Sequence, residues 1–304
     1  MPMDTLNEIQ GRRCFVTGGR GFIGKSLIKK LISLGAKVSA PTKSEMDIAH
    51  ALKVNQEVQI AQPEILFHLA ATSVVNVSNP LSTHDINVAG TSNLISAVKS
   101  LKNPPIVILM GSGFEYKTQE SPLLETDPLE SQNTYGLSKI YAAQEARRLG
   151  QGLSINWIRL FNSYGPDDVP SRLLPYIVNQ AKAGLPIEVT EGSQIRDFTY
   201  VNDVAEGLIR LALSAKNSTA WEDINMGSGQ PICLKDYIEL IKQILTEFNI
   251  VADVRYGAKS YRPGEAMNMT PDITRLQKKL GWRPSTPIKE GVRNTVQFIL
   301  STSK

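Results

Sequence analysis

The chain has 304 residues, 41% hydrophobic and 20% charged, which is long enough for one large domain or two joined ones with a sizeable core. Its net charge of +4 is slight for that length and includes no run of like charge, which argues against nucleic acid as a partner and suits an anionic small molecule. No apolar run approaches the roughly 20 residues that span a bilayer, residues 1–10 carry Asp4 and Glu8 rather than the apolar core of a signal peptide, and Cys14 and Cys233 stand far apart, so a cytoplasmic protein with reduced cysteines and no membrane partner is expected.

Cys14-Phe15-Val16 predicts a strand that runs into the turn Thr17-Gly18-Gly19-Arg20-Gly21-Phe22-Ile23-Gly24. Beyond it Phe22, Ile23, Leu27, Ile28, Leu31 and Ile32 recur at helical spacing, and Gly35 ends the helix. Further strands are predicted at 37–40, 65–71, 106–110 and 155–161, with helical stretches between them. Continuous apolar strands separated by helices imply a parallel sheet covered on both faces, an α/β doubly wound fold. After Gly165-Pro166 the pattern loosens around Pro170, Pro175 and Pro186, and helices follow at about 202–214, 234–248 and 288–301. The expected organisation is a dinucleotide-binding domain of residues 10–165 with a returning segment at about 196–228. A smaller substrate-binding lobe of residues 166–195 and 229–304 is expected on the carboxyl ends of the strands, where such sheets bind ligands.

In the glycine turn, Gly18 can make the tight bend, Gly21 can let the backbone approach a pyrophosphate, and Gly24 can let helix and strand pack closely, with the helix N-terminus as the anion site. Tyr135 and Lys139 stand four apart in Asn133-Thr134-Tyr135-Gly136-Leu137-Ser138-Lys139, after an apolar strand that ends in Ser112. On a helix they share a face, so the ammonium is expected beside the phenol, favouring its ionised form and making it a proton donor and acceptor near neutral pH. His50, His68 and His84 have no metal-ligand spacing, and no metal is expected. His84 reads either as a second acid-base group or as a partly exposed loop or helix residue. Trp157 in a strand, and Trp221 and Trp282 near loops, read as packing residues.

These motifs, in this order, resemble the extended short-chain dehydrogenase/reductase superfamily, in particular its nucleotide-sugar epimerases, dehydratases and reductases, from about residue 11 to the C-terminus. The resemblance implies a Rossmann-type domain in which Gly18, Arg20, Gly21, Phe22, Ile23 and Gly24 meet the cofactor. It also implies that Leu69, Ala70 and Ala71 of His68-Leu69-Ala70-Ala71 line the adenosine and pyrophosphate, and it matches Asn87 to the family's helix asparagine. Ser112 corresponds to the Ser or Thr that hydrogen-bonds the reacting oxygen, Tyr135 to the acid, and Lys139 to the residue that also holds the nicotinamide ribose. Asn162, in Arg159-Leu160-Phe161-Asn162-Ser163-Tyr164-Gly165-Pro166, is implied to contact the sugar-nucleotide diphosphate. Arg196, in the stretch 194–204, and Arg262, in Arg262-Pro263-Gly264-Glu265, resemble a pyrophosphate clamp, since a planar guanidinium holds phosphate oxygens bidentately. Taken singly, each arginine would read as a surface ion pair.

NAD-preferring members carry an acid after the second strand. Here Thr42 stands at that place with Lys43 next, and Lys43 and Arg20 could neutralise a 2′-phosphate, so NADP is expected, with NADPH favoured over NADH. The alternative for Lys43 is a solvated loop lysine. Asp47, followed by Ile48, competes as the ribose acid but better matches the family's acidic residue near the adenine. As to the reaction, the dehydratases place a glutamate, and the fucose-synthase-type enzymes a cysteine, two residues after the Ser or Thr. This chain has Phe114, which cannot transfer a proton, and Glu115 one place later is expected on a strand, facing the opposite way. The expected activity is therefore NADPH-dependent reduction of the 4-keto group of a nucleotide-activated 4-keto-6-deoxyhexose, in deoxysugar biosynthesis. An NAD-dependent nucleotide-sugar 4-epimerase and a non-catalytic dinucleotide sensor are the alternatives. A homodimer is expected through the helices near 86–100 and 134–149, where Ile86, Leu94, Ile95, Val98, Leu137, Ile140 and Tyr141 either meet a symmetry mate or cover the sheet.

Overall fold

A computed structural model of the chain describes residues 3–72, 83–215, 219–262 and 264–302. The first half runs β1 (Arg13–Thr17), α1 (Phe22–Ser33), β2 (Lys37–Ser39), α2 (Ala51–Ala61), β3 (Ile65–His68), α3 (Gly90–Lys99), β4 (Ile106–Ser112), α4 (Thr134–Leu149), β5 (Ile155–Leu160) and β6 (Asn162–Tyr164). The second half runs α5 (Leu173–Lys182), β7 (Ile187–Glu188), β8 (Ile195–Tyr200), α6 (Val201–Ser214), β9 (Trp221–Met226), β10 (Pro231–Cys233), α7 (Leu234–Glu247), β11 (Val254–Arg255), β12 (Asn268–Met269), α8 (Thr274–Leu280) and α9 (Ile288–Thr302).

Among the described residues the main sheet has the order β2-β1-β3-β4-β5-β9, parallel throughout. Its strands are apolar on both sides because successive side chains feed opposite layers. Val16, Phe67 and Ile108 pack with Leu27, Leu208 and Ile209 on one face, while Phe15, Leu66 and Leu109 pack with Val54, Leu94 and Val98 on the other. The strand order reverses between β1 and β3, and the crevice at their carboxyl ends is the place where a doubly wound sheet takes a ligand. The lobe is held by a third core in which Tyr164, Ile177, Tyr237, Ile241 and Val292 meet.

The division of the chain differs from the sequence expectation. β8, placed in the returning segment, instead pairs with β6, β10 and β12 in the lobe sheet, so the return begins at α6 and β9. Ile273, Leu276, Leu280 and Trp282, expected in the lobe, pack back into the first core, as do Leu6 and Ile9 of the 3-10 turn Met3–Ile9. Buried apolar contact decides membership, and it does not follow sequence distance. Trp221, the first residue of β9, stacks on Trp157, as its reading as a packing residue expects. No helix among the described residues is long and apolar enough to cross a membrane.

Candidate active site

The glycine turn sits at the carboxyl end of β1 and opens α1 at Phe22, with Gly21 as the N-cap. Gly18 has φ +72°, and a Cβ there would lie 2.6 Å from the Ala70 nitrogen, so the turn can press against Leu69 and Ala70 only as glycine. A buried polar chain beneath the crevice fixes this approach. Thr17 Oγ1 accepts from Ala70 N at 3.2 Å and lies 2.7 Å from His68 Nδ1, while His68 Nε2 lies 3.1 Å from Thr91 Oγ1. Because the Thr91 hydroxyl donates to the Asn87 carbonyl at 2.6 Å, the imidazole must donate from Nε2 and accept at Nδ1. Burial pushes His68 down to about 3, which keeps the ring neutral.

Asn87 lies in a π-helical turn, Asp85–Ala89, ahead of α3. Its amide accepts from Thr72 N at 2.9 Å and donates to Thr72 O at 3.0 Å and to Ser138 Oγ at 2.8 Å. It is almost wholly buried, so it braces the loop after β3 against α4. Ile48 likewise turns its side chain into the core, and Ile23 packs against the opposite core. Thr17, Thr91 and Ser138 were missed by sequence reasoning, and short hydroxyl residues inside apolar segments were the available signal.

Ser112 ends β4, and Tyr135 and Lys139 lie on α4. The Ser112 side chain lies close enough to the Tyr135 phenol to act on it, which places two hydroxyls where one oxygen of a substrate could meet both. Lys139 Nζ donates to the Met110 carbonyl at 2.7 Å and stands 5.9 Å from the Tyr135 ring centroid. The expected ionised phenol is corrected. Burial, reinforced by the negative charge of Glu115, pushes Tyr135 up to about 12, and burial brings Lys139 down to about 8. Desolvation is the largest cause in both groups. Tyr135 thus keeps its proton at neutral pH.

Glu115 is not on a strand. It closes the 3-10 turn Gly113–Glu115 and points into the interior, where Arg159 Nε meets it at 2.7 Å. Phe114 packs with Tyr116, Leu123, Phe161 and Met269.

Where the adenosine is expected, Thr42, Lys43 and Asp47 follow β2. Lys43 is 79% exposed and faces Asp47 at 3.8 Å. Glu45, which sequence reasoning passed over, accepts from Thr42 N at 2.8 Å, and that bond together with the charge of exposed Arg20 holds its carboxyl below its usual value. Where the substrate is expected, Asn162 opens β6 and donates to the Asp197 carbonyl at 3.4 Å. Arg196 on β8 pairs with Glu265 at 2.8 Å, whose nitrogen bonds the Arg262 carbonyl. The two arginine segments therefore meet, with Arg262 exposed and Pro263 outside the described residues. Between the halves, Lys25 pairs with Asp167 at 2.6 Å and Arg172 lies 5.7 Å from the Phe22 ring, so the segment after β6 straps onto the start of α1.

The family model described as NAD dependent epimerase/dehydratase family matches residues 14–227. A rice (Oryza sativa subsp. japonica) protein named Probable GDP-L-fucose synthase 1 is 28% identical over 97% of this chain and 95% of its own length. Among solved structures, RMD from Pseudomonas aeruginosa complexed with NADPH is 27% identical at TM-score 0.84, covering 95% of this chain and 99% of that one. A UDP-glucose 4-epimerase from Thermotoga maritima, solved with UDP-glucose, is 26% identical at TM-score 0.82, covering 96% and 99%.

Proposed function

We propose that this chain, which belongs to the NAD dependent epimerase/dehydratase family, reduces the 4-keto group of a nucleotide-activated 4-keto-6-deoxyhexose with NADPH, forming a deoxysugar donor. The observation that carries the reading is Ser112 and Tyr135 brought together at the end of β4, combined with Phe114 and an inward-locked Glu115. The site has a protonated phenol to complete a reduction, and neither residue after Ser112 that follows Gly113 is free to abstract a proton from carbon 3 or carbon 5.

The nicotinamide cofactor supplies the hydride, and the glycine turn with the N-terminus of α1 suits its pyrophosphate. Ser112 Oγ and Tyr135 OH hold the carbonyl oxygen, and Tyr135 gives it a proton. Lys139, fixed by the Met110 carbonyl, places a positive charge behind the phenol and supports that transfer. Asn162, Arg196 and Arg262 hold the diphosphate, with Arg196 exchanging its Glu265 partner for phosphate oxygens. Arg20 and Lys43 meet the 2′-phosphate. Cytoplasmic location and a homodimer through the α4 face that exposes Leu137 and Tyr141 complete the proposal.

The test is a panel of UDP-, GDP-, CDP- and dTDP-4-keto-6-deoxysugars followed by loss of NADPH absorbance. Oxidation with one nucleotide series supports the reading, and none across the panel refutes it. A 4-epimerase is the second reading, favoured by the likeness to the Thermotoga maritima UDP-glucose 4-epimerase. NAD retained through purification, with interconversion of UDP-hexoses, would establish it instead.

A further inference from the structure

Directly beneath Ser112 lies a buried ion pair that the reaction as described does not use. Glu115 is fully buried, and its carboxyl group accepts from Ser112 N at 2.7 Å, Arg159 Nε at 2.7 Å and Trp157 Nε1 at 3.0 Å; burial raises its proton affinity, and the Arg159 guanidinium and these hydrogen bonds act against that rise. Gly111 makes the room, since a Cβ there would press on the Trp157 indole and lie 2.5 Å from Glu115 Oε1. Arg159 continues to Asp223 at 3.0 Å and to the Tyr116 hydroxyl at 3.3 Å, and that hydroxyl donates to Asn225 at 2.6 Å. An apolar filling of the same volume would serve stability as well or better than a buried charge pair, so packing alone does not explain it.

We propose that Glu115 is a positioning residue of the active site, which fixes the Ser112 turn through the Ser112 N–H and sets a buried charge beneath the pair of residues on α4. The direction of its benefit, toward reduction, rests on the function proposed above, whereas the electrostatics do not. From its own turn the carboxylate is faced by Tyr116, from β5 by Arg159, from β9 by Asp223 and from α4 by Tyr135 and Lys139. Glu125 adds a negative charge near Tyr116, and Arg172 and the Ser112 side chain act on Tyr135 in the opposite sense. Buried His68 is neutral and adds no charge. A negative charge disfavours a phenolate and favours an ammonium, so both groups hold their protons to higher pH than burial alone would set.

Glu115→Gln keeps an oxygen for the Ser112 N–H and removes the charge. The readout is the titration midpoint of Lys139, followed by NMR of lysine labelled at the ε-methylene and assigned with Lys139→Met, with a thermal melt as the check on folding. The midpoint is expected to fall by about one pH unit, the scale of a single charge acting through a few ångströms of protein. If the lone substitution does not fold, Glu115→Gln/Arg159→Gln removes the stranded guanidinium too, with a smaller fall expected because the opposing charge of Arg159 goes with it. An unchanged midpoint in a folded variant overturns the proposal. The titration needs no substrate, so its failure is distinct from that of the proposed reduction, which would show as wild-type protein consuming no NADPH.

Discussion

Lys139→Met is expected to abolish most turnover and yet to relieve a cost in stability. Lys139 is 4% exposed, and its ammonium gives one hydrogen bond, to the Met110 carbonyl. Burial lowers it from 10.5 to about 8, which corresponds to about 3 kcal/mol of unfavourable free energy while the lysine is charged. Below about 8 both folded and unfolded chains carry the proton and the cost is complete. Between about 8 and 10.5 the unfolded chain binds more protons than the folded one, so stability from this residue rises with pH until the cost is gone. Methionine has no such dependence and loses about 1 kcal/mol with the Met110 hydrogen bond. Urea unfolding of wild type and variant across this range should show the variant more stable by about 2 kcal/mol at pH 7. That advantage should be lost, and the order reversed, as the pH passes 10.5. A difference that stays constant with pH would refute the claim that burial depresses Lys139.

Tyr135→Phe removes the proton donor while leaving the ring to pack, so turnover should fall by about 10² or more with cofactor affinity little changed, and near-complete activity would end the proton-donor assignment. For cofactor choice, Arg20→Ala should raise the Michaelis constant for NADPH roughly tenfold. Lys43→Ala should raise it only about twofold to fivefold, because that lysine is exposed and already paired to Asp47. Glu45→Gln should lower it about threefold by removing a carboxylate from the same place, with NADH use unchanged throughout; equal effects on both cofactors would remove these residues from the 2′-phosphate site. Leu137→Glu with Tyr141→Glu should convert a dimer to a monomer by light scattering, whereas a wild-type monomer at micromolar concentration would remove the dimer itself.

The doubly wound sheet and the order of its motifs were legible in the sequence, because strand and helix periods and glycine spacing are local properties of the chain. Periodicity placed Ser112 at a strand end and Tyr135 and Lys139 on one helix face, where the structure has them. Local pattern could not say which way a turn would go: Glu115, expected on the far side of a strand, curls back through a 3-10 turn onto Arg159, which lies 44 residues on. Nor could it tell interface from core, since Leu94, Ile95, Val98 and Ile140 are buried within the chain and, of the apolar residues expected at the interface, only Leu137 and Tyr141 are well exposed. The proton affinities were least legible of all. Four-residue spacing brings an ammonium and a phenol together, but their charge states follow from desolvation and from Glu115, and both exist only once distant segments have closed over the site.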